Sequence, residues 1–288
     1  MNVTWRRLAA LLLGAALHAG ACAQAPAWPA IGEPTTAARA SGRWLWADLV
    51  TTDMSRSAEF YGKVFGWTFH PNSAGDGTSG YMTILADGRP IGGLVPARGG
   101  KEPGARWIGL ASGDPKTLAT RAQERGGTVA TAPVVLPGRG EFAALRDPTG
   151  AYFAVIRTER GDPSDHLGRN NEWLWFELWT DDPGKAANFY RDVFGYALGA
   201  ADGRPGADAY VLSAGGRARA GVMRSPDPTL PSAWIAYVRV SDLPAAVARA
   251  VANGARVVVA PQPHHRSQVA VLVDPLGAPF AMAEWRPR

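Results

Sequence analysis

WLWADLVTTD at positions 44–53 returns as WLWFELWTDD at 173–182, and AEFYGKVFGW at 58–67 returns as ANFYRDVFGY at 187–196, both at a step of 129. Farther on, Trp107-Ile108 matches Trp234-Ile235, and RDPTGAYFAVI from Arg146 matches VDPLGAPFAMA from Val273, now at a step of 127. Motifs that recur in one order at nearly one spacing mark a tandem duplication. Two copies of one module follow, over residues 42–157 and 172–288, joined by a linker at 158–171 that carries Gly161, Pro163 and Gly168.

Within each copy, a strand rich in Trp and Leu leads into a helix whose apolar residues recur at helical spacing, Phe60, Val64 and Phe65 in one and Phe189, Val193 and Phe194 in the other. YMTIL at 81–85 and IGGLV at 91–95 read as strands separated by Asp-Gly and Gly-rich breaks, as do YVLS at 210–213 and AGVM at 220–223. The pattern then restarts, with strand WIGLA before a helix around 117–125 and strand WIAYVRV before a helix around 243–252. Each module is therefore strand, helix and three strands, twice over, an α+β architecture.

The ends and the charge balance narrow the class. Arg6 and Arg7 precede an apolar run at 8–17 and the small-residue stretch Ala19-Gly20-Ala21-Cys22-Ala23, which predicts a secretory signal peptide over residues 1–23. Two fates are open to it. Cleavage after Ala23 leaves a chain with no cysteine, secreted or in the periplasm, whereas lipidation of Cys22 tethers it to a membrane. Residues 24–41, with Pro26, Pro29 and Pro34, show no periodicity and are expected to be a flexible tether. The 288 residues, 46% of them hydrophobic, suffice for two cores. The net charge of +5 is spread along the chain without aromatic interleaving, which argues against nucleic-acid binding. Nothing after the leader is long and apolar enough to predict a transmembrane helix. Four half-modules in one chain make a monomer sufficient, and a homodimer is the other expectation.

The joint order of Thr-Thr-Asp or Thr-Asp-Asp, FYxxVFGW or FYxxVFGY, the Trp-Ile strand and DPxGAxF resembles the vicinal oxygen chelate superfamily of glyoxalases, bleomycin-resistance proteins and extradiol dioxygenases. The likeness covers about residues 43–286. It implies two tandem domains, each a pair of βαβββ units curled into an open sheet around a cavity, often with a divalent metal. Metal enzymes of the family carry a ligand on the first strand of a unit and a Glu on its last. Aligned on Asp53 and Asp182, those places hold Trp46 and Trp175 on the first strands and Ala154 and Ala281 on the last, with Trp107 and Trp234 at the matching place of the second units. None of these side chains offers a metal a lone pair, so no metal or other cofactor is expected. The five histidines do not compensate. His18 lies in the leader, His70 is matched by Gly199, His166 is in the linker, and adjacent His264 and His265 point different ways.

Period-two alternation sorts Trp44, Trp46, Asp48 and Val50 to one face of the first strand, and Trp173, Trp175, Glu177 and Trp179 to one face of its copy. Placing the Trp face on the cavity sets an acid at the same inward position twice. Asp48 and Glu177 are the candidate general bases or ligand anchors, or else the buried halves of structural ion pairs to Arg139 and Arg266, which precede the last strands. Trp46, Trp107, Trp175 and Trp234, with Tyr81, Tyr210, Arg139 and Arg266, are expected to line the cavities and to bind a flat or cationic small organic ligand. The leading expectation is an exported, metal-free small-molecule binding protein. Its rival is a lyase, isomerase or dioxygenase-type enzyme with a non-standard metal site or an Asp48 or Glu177 base.

Overall fold

A computed structural model describes residues 28–32, 38–72, 80–97, 104–201, 208–264 and 267–285. Module one runs β1 (Trp44–Thr51), α1 (Met54–Phe65), β2 (Thr68–Pro71), β3 (Met82–Ala86), β4 (Arg89–Pro96), β5 (Ala105–Ser112), α2 (Pro115–Glu124), β6 (Thr128–Leu136), β7 (Gly140–Arg146) and β8 (Tyr152–Thr158). Module two repeats it as β9 (Trp173–Thr180), α3 (Pro183–Phe194), β10 (Ala197–Ala200), β11 (Ala209–Ala214), β12 (Arg217–Arg224), β13 (Ala233–Arg239), α4 (Leu243–Ala252), β14 (Arg256–His264), β15 (Ser267–Val273) and β16 (Pro279–Trp285). Each module is one curled, eight-stranded mixed sheet, in the order β2-β3-β4-β1-β5-β8-β7-β6 and its counterpart β10-β11-β12-β9-β13-β16-β15-β14. The two halves of each sheet meet where β1 pairs antiparallel with β5, or β9 with β13.

The repeated motifs explain themselves as local structure. Each of the four described helices starts at an aspartate whose carboxylate accepts a first-turn amide: Asp53 from Arg56, Asp114 from Thr117, Asp182 from Lys185 and Asp242 from Ala245. These donors would otherwise have no partner within the helix. The Asp of the Thr-Thr-Asp and Thr-Asp-Asp motifs is therefore a cap. The glycine of each VFG motif, Gly66 or Gly195, ends its helix at φ 72° or 78°, where a side chain would be strained.

The helices of both modules share one apolar core. It runs from Phe60, Tyr61 and Val64 through Trp107 and Phe153 to Phe189, Tyr190, Trp234 and Phe280. Each concave sheet face carries a separate, smaller cluster. At the centre of the shared core two equivalent locks run in opposite senses. Tyr61 Oη donates to Asp274 Oδ2 at 3.0 Å and accepts from Trp107 Nε1 at 2.9 Å. Tyr190 Oη donates to Asp147 Oδ2 at 3.0 Å and accepts from Trp234 Nε1 at 2.8 Å. The other oxygen of each aspartate binds its own DPxG turn, Asp147 Oδ1 taking the amides of Thr149, Gly150 and Ala151 and Asp274 Oδ1 those of Leu276 and Ala278. Burial pushes both carboxyls above the usual range, against the pull of these hydrogen bonds. The Tyr of FYxxVFG and the Asp of DPxG thus join one module to the other.

The segment expected to be a flexible tether is partly packed. Asp162 of the linker accepts from Ala40 N, Ser112 Oγ and Thr158 Oγ1 at 2.8, 2.7 and 3.0 Å, and Arg43 donates to the carbonyls of Pro163 and Ser164. Residues 28–32 lie on module one, where Trp28 N donates to Pro137 O at 2.7 Å and Ile31 is buried. The apolar Trp28 and Ile31 find a hydrophobic face there, which outweighs the absence of any repeating pattern. The signal peptide and Cys22 lie outside the described residues. No helix among the described residues is long and apolar enough to cross a membrane.

Candidate functional site

Strand register decides which side chains share the concave faces, because directly paired residues point the same way. Asp48 pairs with Ile108 and Trp46 with Leu110, which in turn pairs with Ala154. In module two Glu177 pairs with Ile235 and Trp175 with Tyr237, which pairs with Ala281. Both acids therefore sit at the centre of a concave face, as the duplication implied.

In module one the acid is fully engaged. Asp48 Oδ1 accepts from Trp46 Nε1 and Tyr81 Oη, both at 2.8 Å, and Oδ2 forms an ion pair with Arg139 Nη1 at 3.0 Å. Arg139, 1% exposed, also donates to Tyr81 Oη and, through Nε, to Pro29 O at 3.2 Å. Burial works to lower the Arg139 pKa, but the Tyr81 and Asp48 oxygens outweigh it and hold the guanidinium above its ordinary value. Burial likewise drives the Tyr81 phenol up, so it stays a donor. Gly93, paired with Asp48 across β4, makes the space: a Cβ there would stand 2.0 Å from Tyr81 Oη. Residues 28–32 close the face. The Trp28 ring meets Tyr81 edge-on at 5.2 Å and Arg139 at 5.6 Å, while Ile31 packs with Trp46, Leu136 and Phe142.

Module two carries the same acid with different partners. Glu177 Oε2 accepts from Tyr237 Oη at 2.6 Å and Trp179 Nε1 at 3.1 Å. Burial, reinforced by the Glu177 charge, raises the Tyr237 phenol well above its usual value. Trp175 is half-buried here, whereas its counterpart Trp46 is 1% exposed, and Leu174, Met223 and Leu230 of the same concave cluster are also partly exposed. Arg266, the expected partner of Glu177, lies outside the described residues, as does His265.

Several expected cavity residues lie elsewhere. Trp107 and Trp234 pair with Leu49 and Leu178, on the helix side of the sheets, and belong to the inter-module locks. Trp44 and Trp173 also pack into the shared core, Trp44 against Phe176 and Trp234 at ring distances of 5.1 and 4.2 Å. Leu45 and Leu174 take the concave side instead. The cause is a bulge in each pair of central strands, between Trp44 and Trp46 and opposite Trp173 and Trp175, which breaks period-two alternation. Tyr210 is not the equivalent of Tyr81. Met82 pairs with Leu94 while Tyr210 pairs with Val222, so the second copy is one residue out of step, and Tyr210 packs on the core against α3. Tyr237, which the sequence reading missed, supplies the phenol from a neighbouring strand. Its alignment with Leu110 concealed the role.

The positions where the family implies a metal do not fit one. Trp46 and Ala154, like Trp175 and Ala281, do face the concavities, but indole and methyl groups give no lone pair to an ion, and Tyr237 Oη is committed to Glu177. Among the described residues no three His, Cys, Asp or Glu side chains cluster as a ligand set.

Comparison with known proteins agrees with this architecture. Residues 43–155 match the profile of the glyoxalase/bleomycin resistance protein/dioxygenase superfamily, and residues 174–283 that of a glyoxalase-like domain. The chain is 30% identical over 247 residues to "Putative glyoxylase CFP32" of Mycobacterium tuberculosis, covering 84% of this chain and 95% of that one. It is 33% identical over 266 residues to the anthracycline biosynthesis protein DnrV of Streptomyces peucetius, covering 86% and 94%. In fold it is similar to the Mn(II)-bound glyoxalase from Novosphingobium aromaticivorans, at TM-score 0.60 and 18% identity over 85% of this chain and 83% of that one. The 2,3-dioxygenase LapB from Pseudomonas sp. KL28 is also similar, at TM-score 0.58 and 13% identity over 87% and 95%.

Proposed function

Because this chain belongs to the glyoxalase/bleomycin resistance protein/dioxygenase superfamily, with two tandem vicinal oxygen chelate modules, we propose that it is an exported protein that binds a small organic molecule without a metal. The observation that carries the reading is the composition of the concave faces. Tryptophan and alanine stand where the family's metal enzymes carry ligands, and each buried acid is held by Trp and Tyr donors. Such a surface has little to offer a metal ion and much to offer an aromatic ring, through apolar burial and ring contacts. Export rests on Arg6, Arg7 and the apolar run that follows them.

Relatives named for anthracycline biosynthesis make an anthracycline, a flat polycyclic aromatic compound, a fitting first probe. Calorimetric titration of the purified chain is expected to show saturable binding that survives treatment with a chelator. Trp175→Ala should weaken it about tenfold, the scale of one lost ring contact with its burial. Binding that disappears with the chelator and returns with a divalent ion would overturn the metal-free reading. Fractionation of cells expressing the chain, with N-terminal sequencing of the product, tests export.

A further inference from the structure

The two concave faces share ancestry, yet they are not equally open. In module one the ring of Trp28 lies against Tyr81 and Arg139, the carbonyl of Pro29 accepts from Arg139 Nε, and Ile31, 3% exposed, fills the apolar part beside Trp46 and Phe142. An aromatic ring, a hydrogen-bond acceptor and an aliphatic group are thus seated over the buried acid. That is the arrangement of a bound ligand rather than of a passing chain. The matching face of module two differs in the direction that an unfilled face requires. Trp175 is half-buried where Trp46 is sealed.

We infer that residues 28–32 are a built-in occupant of the first concave face, so that the chain offers external ligands one site, on module two, and that this site takes a flat aromatic molecule. The assignment rests on the small-molecule reading above and deepens it. Both ends of the strap support permanent seating. Trp28 N is bonded to Pro137 O, and beyond the strap Ala40 N is held by Asp162. Module one then serves as a filled scaffold, and its strap shows the kind of group that these concave faces accept.

Titration of the full chain with anilinonaphthalene sulfonate, an aromatic reporter of apolar cavities, tests this. One probe site per chain is expected, lost in Trp175→Ala. The double substitution Trp28→Ala with Ile31→Ala should add a second site, and the peptide Trp-Pro-Ala-Ile-Gly should displace probe from that second site alone. Two sites in the unaltered chain, or no added site in a double variant that keeps its far-ultraviolet circular dichroism, would overturn the inference. A chain that binds none until the strap is substituted, and then binds one, would uphold the strap as occupant while refuting the proposed function. Should the double variant not fold, hydrogen exchange on the unaltered chain decides. Saturating probe is expected to slow exchange in β13 and leave residues 28–32 unchanged, and faster exchange across 28–32 on probe binding would mean that the probe displaces the strap.

Discussion

Replacing Tyr61 by phenylalanine removes one oxygen from the middle of the interface between the modules and leaves the ring contacts in place. That oxygen makes two bonds, donating to Asp274 Oδ2 and accepting from Trp107 Nε1, and all three residues are buried. A hydrogen bond to a charged acceptor contributes about 1.5–3 kcal/mol, and a buried donor left without a partner costs about 1–3 kcal/mol. Partial relaxation keeps the two from adding in full, so the expected loss is about 2–4 kcal/mol. Urea unfolding followed by tryptophan fluorescence should show the midpoint fall by on the order of 1 M, at a slope of about 1–3 kcal/mol per M. Tyr190→Phe should cost about the same, because Tyr190 holds Asp147 and Trp234 in the equivalent geometry. A loss under about 0.5 kcal/mol for either variant, the size of an ordinary surface substitution, would refute the idea that these tyrosines lock the modules together.

The ion pair under the strap makes a second prediction. Arg139→Leu leaves the Asp48 carboxyl buried without its cation, which should cost about 3–5 kcal/mol, and adding Asp48→Leu, which frees the Trp46 and Tyr81 donors, should bring the total well below the sum of the two single losses. Denaturant midpoints of the two single variants and the double variant close the cycle, and additive losses would show that the pair is not coupled. A third prediction concerns pH. Burial pushes the Glu172 carboxyl up, but the Arg169 amide and Arg89, 2.6 Å away on β4, outweigh it and hold the carboxyl below its ordinary value of 4.5. A carboxyl lowered on folding stabilises the folded chain above about pH 4.5, and that contribution is lost as the pH falls through the lower folded value. With Arg89 partly exposed the gain is about 1 kcal/mol or less. The Tm of Glu172→Gln should therefore lie below that of the unaltered chain at neutral pH and converge with it in acid, and a constant gap would contradict the assignment.

The sequence alone determined the duplication, the α+β modules, the family resemblance and the inward placement of Asp48 and Glu177. Each of these rests on local information: repeated words, helical and strand periods, aspartate caps and αL glycines such as Gly66 and Gly195. The Arg139 ion pair was one of two readings left open for Asp48, named because Arg139 and Arg266 hold matching places in the two copies. Tertiary structure decided the rest. A one-residue bulge turned Trp44 and Trp173 from the cavity to the core, and a one-residue step between the copies did the same to Tyr210. Neither leaves a mark in the string of residues, because side-chain direction depends on the hydrogen bonds that a neighbouring strand offers. Trp107 and Trp234 went to the inter-module core for want of any sequence signal that the helix sides of two modules would meet. The strap was the least legible feature of all. Residues 28–32 have no period and lie over 100 positions from Pro137 and Arg139, and only the folded chain brings those apolar side chains to a concave face that can bury them.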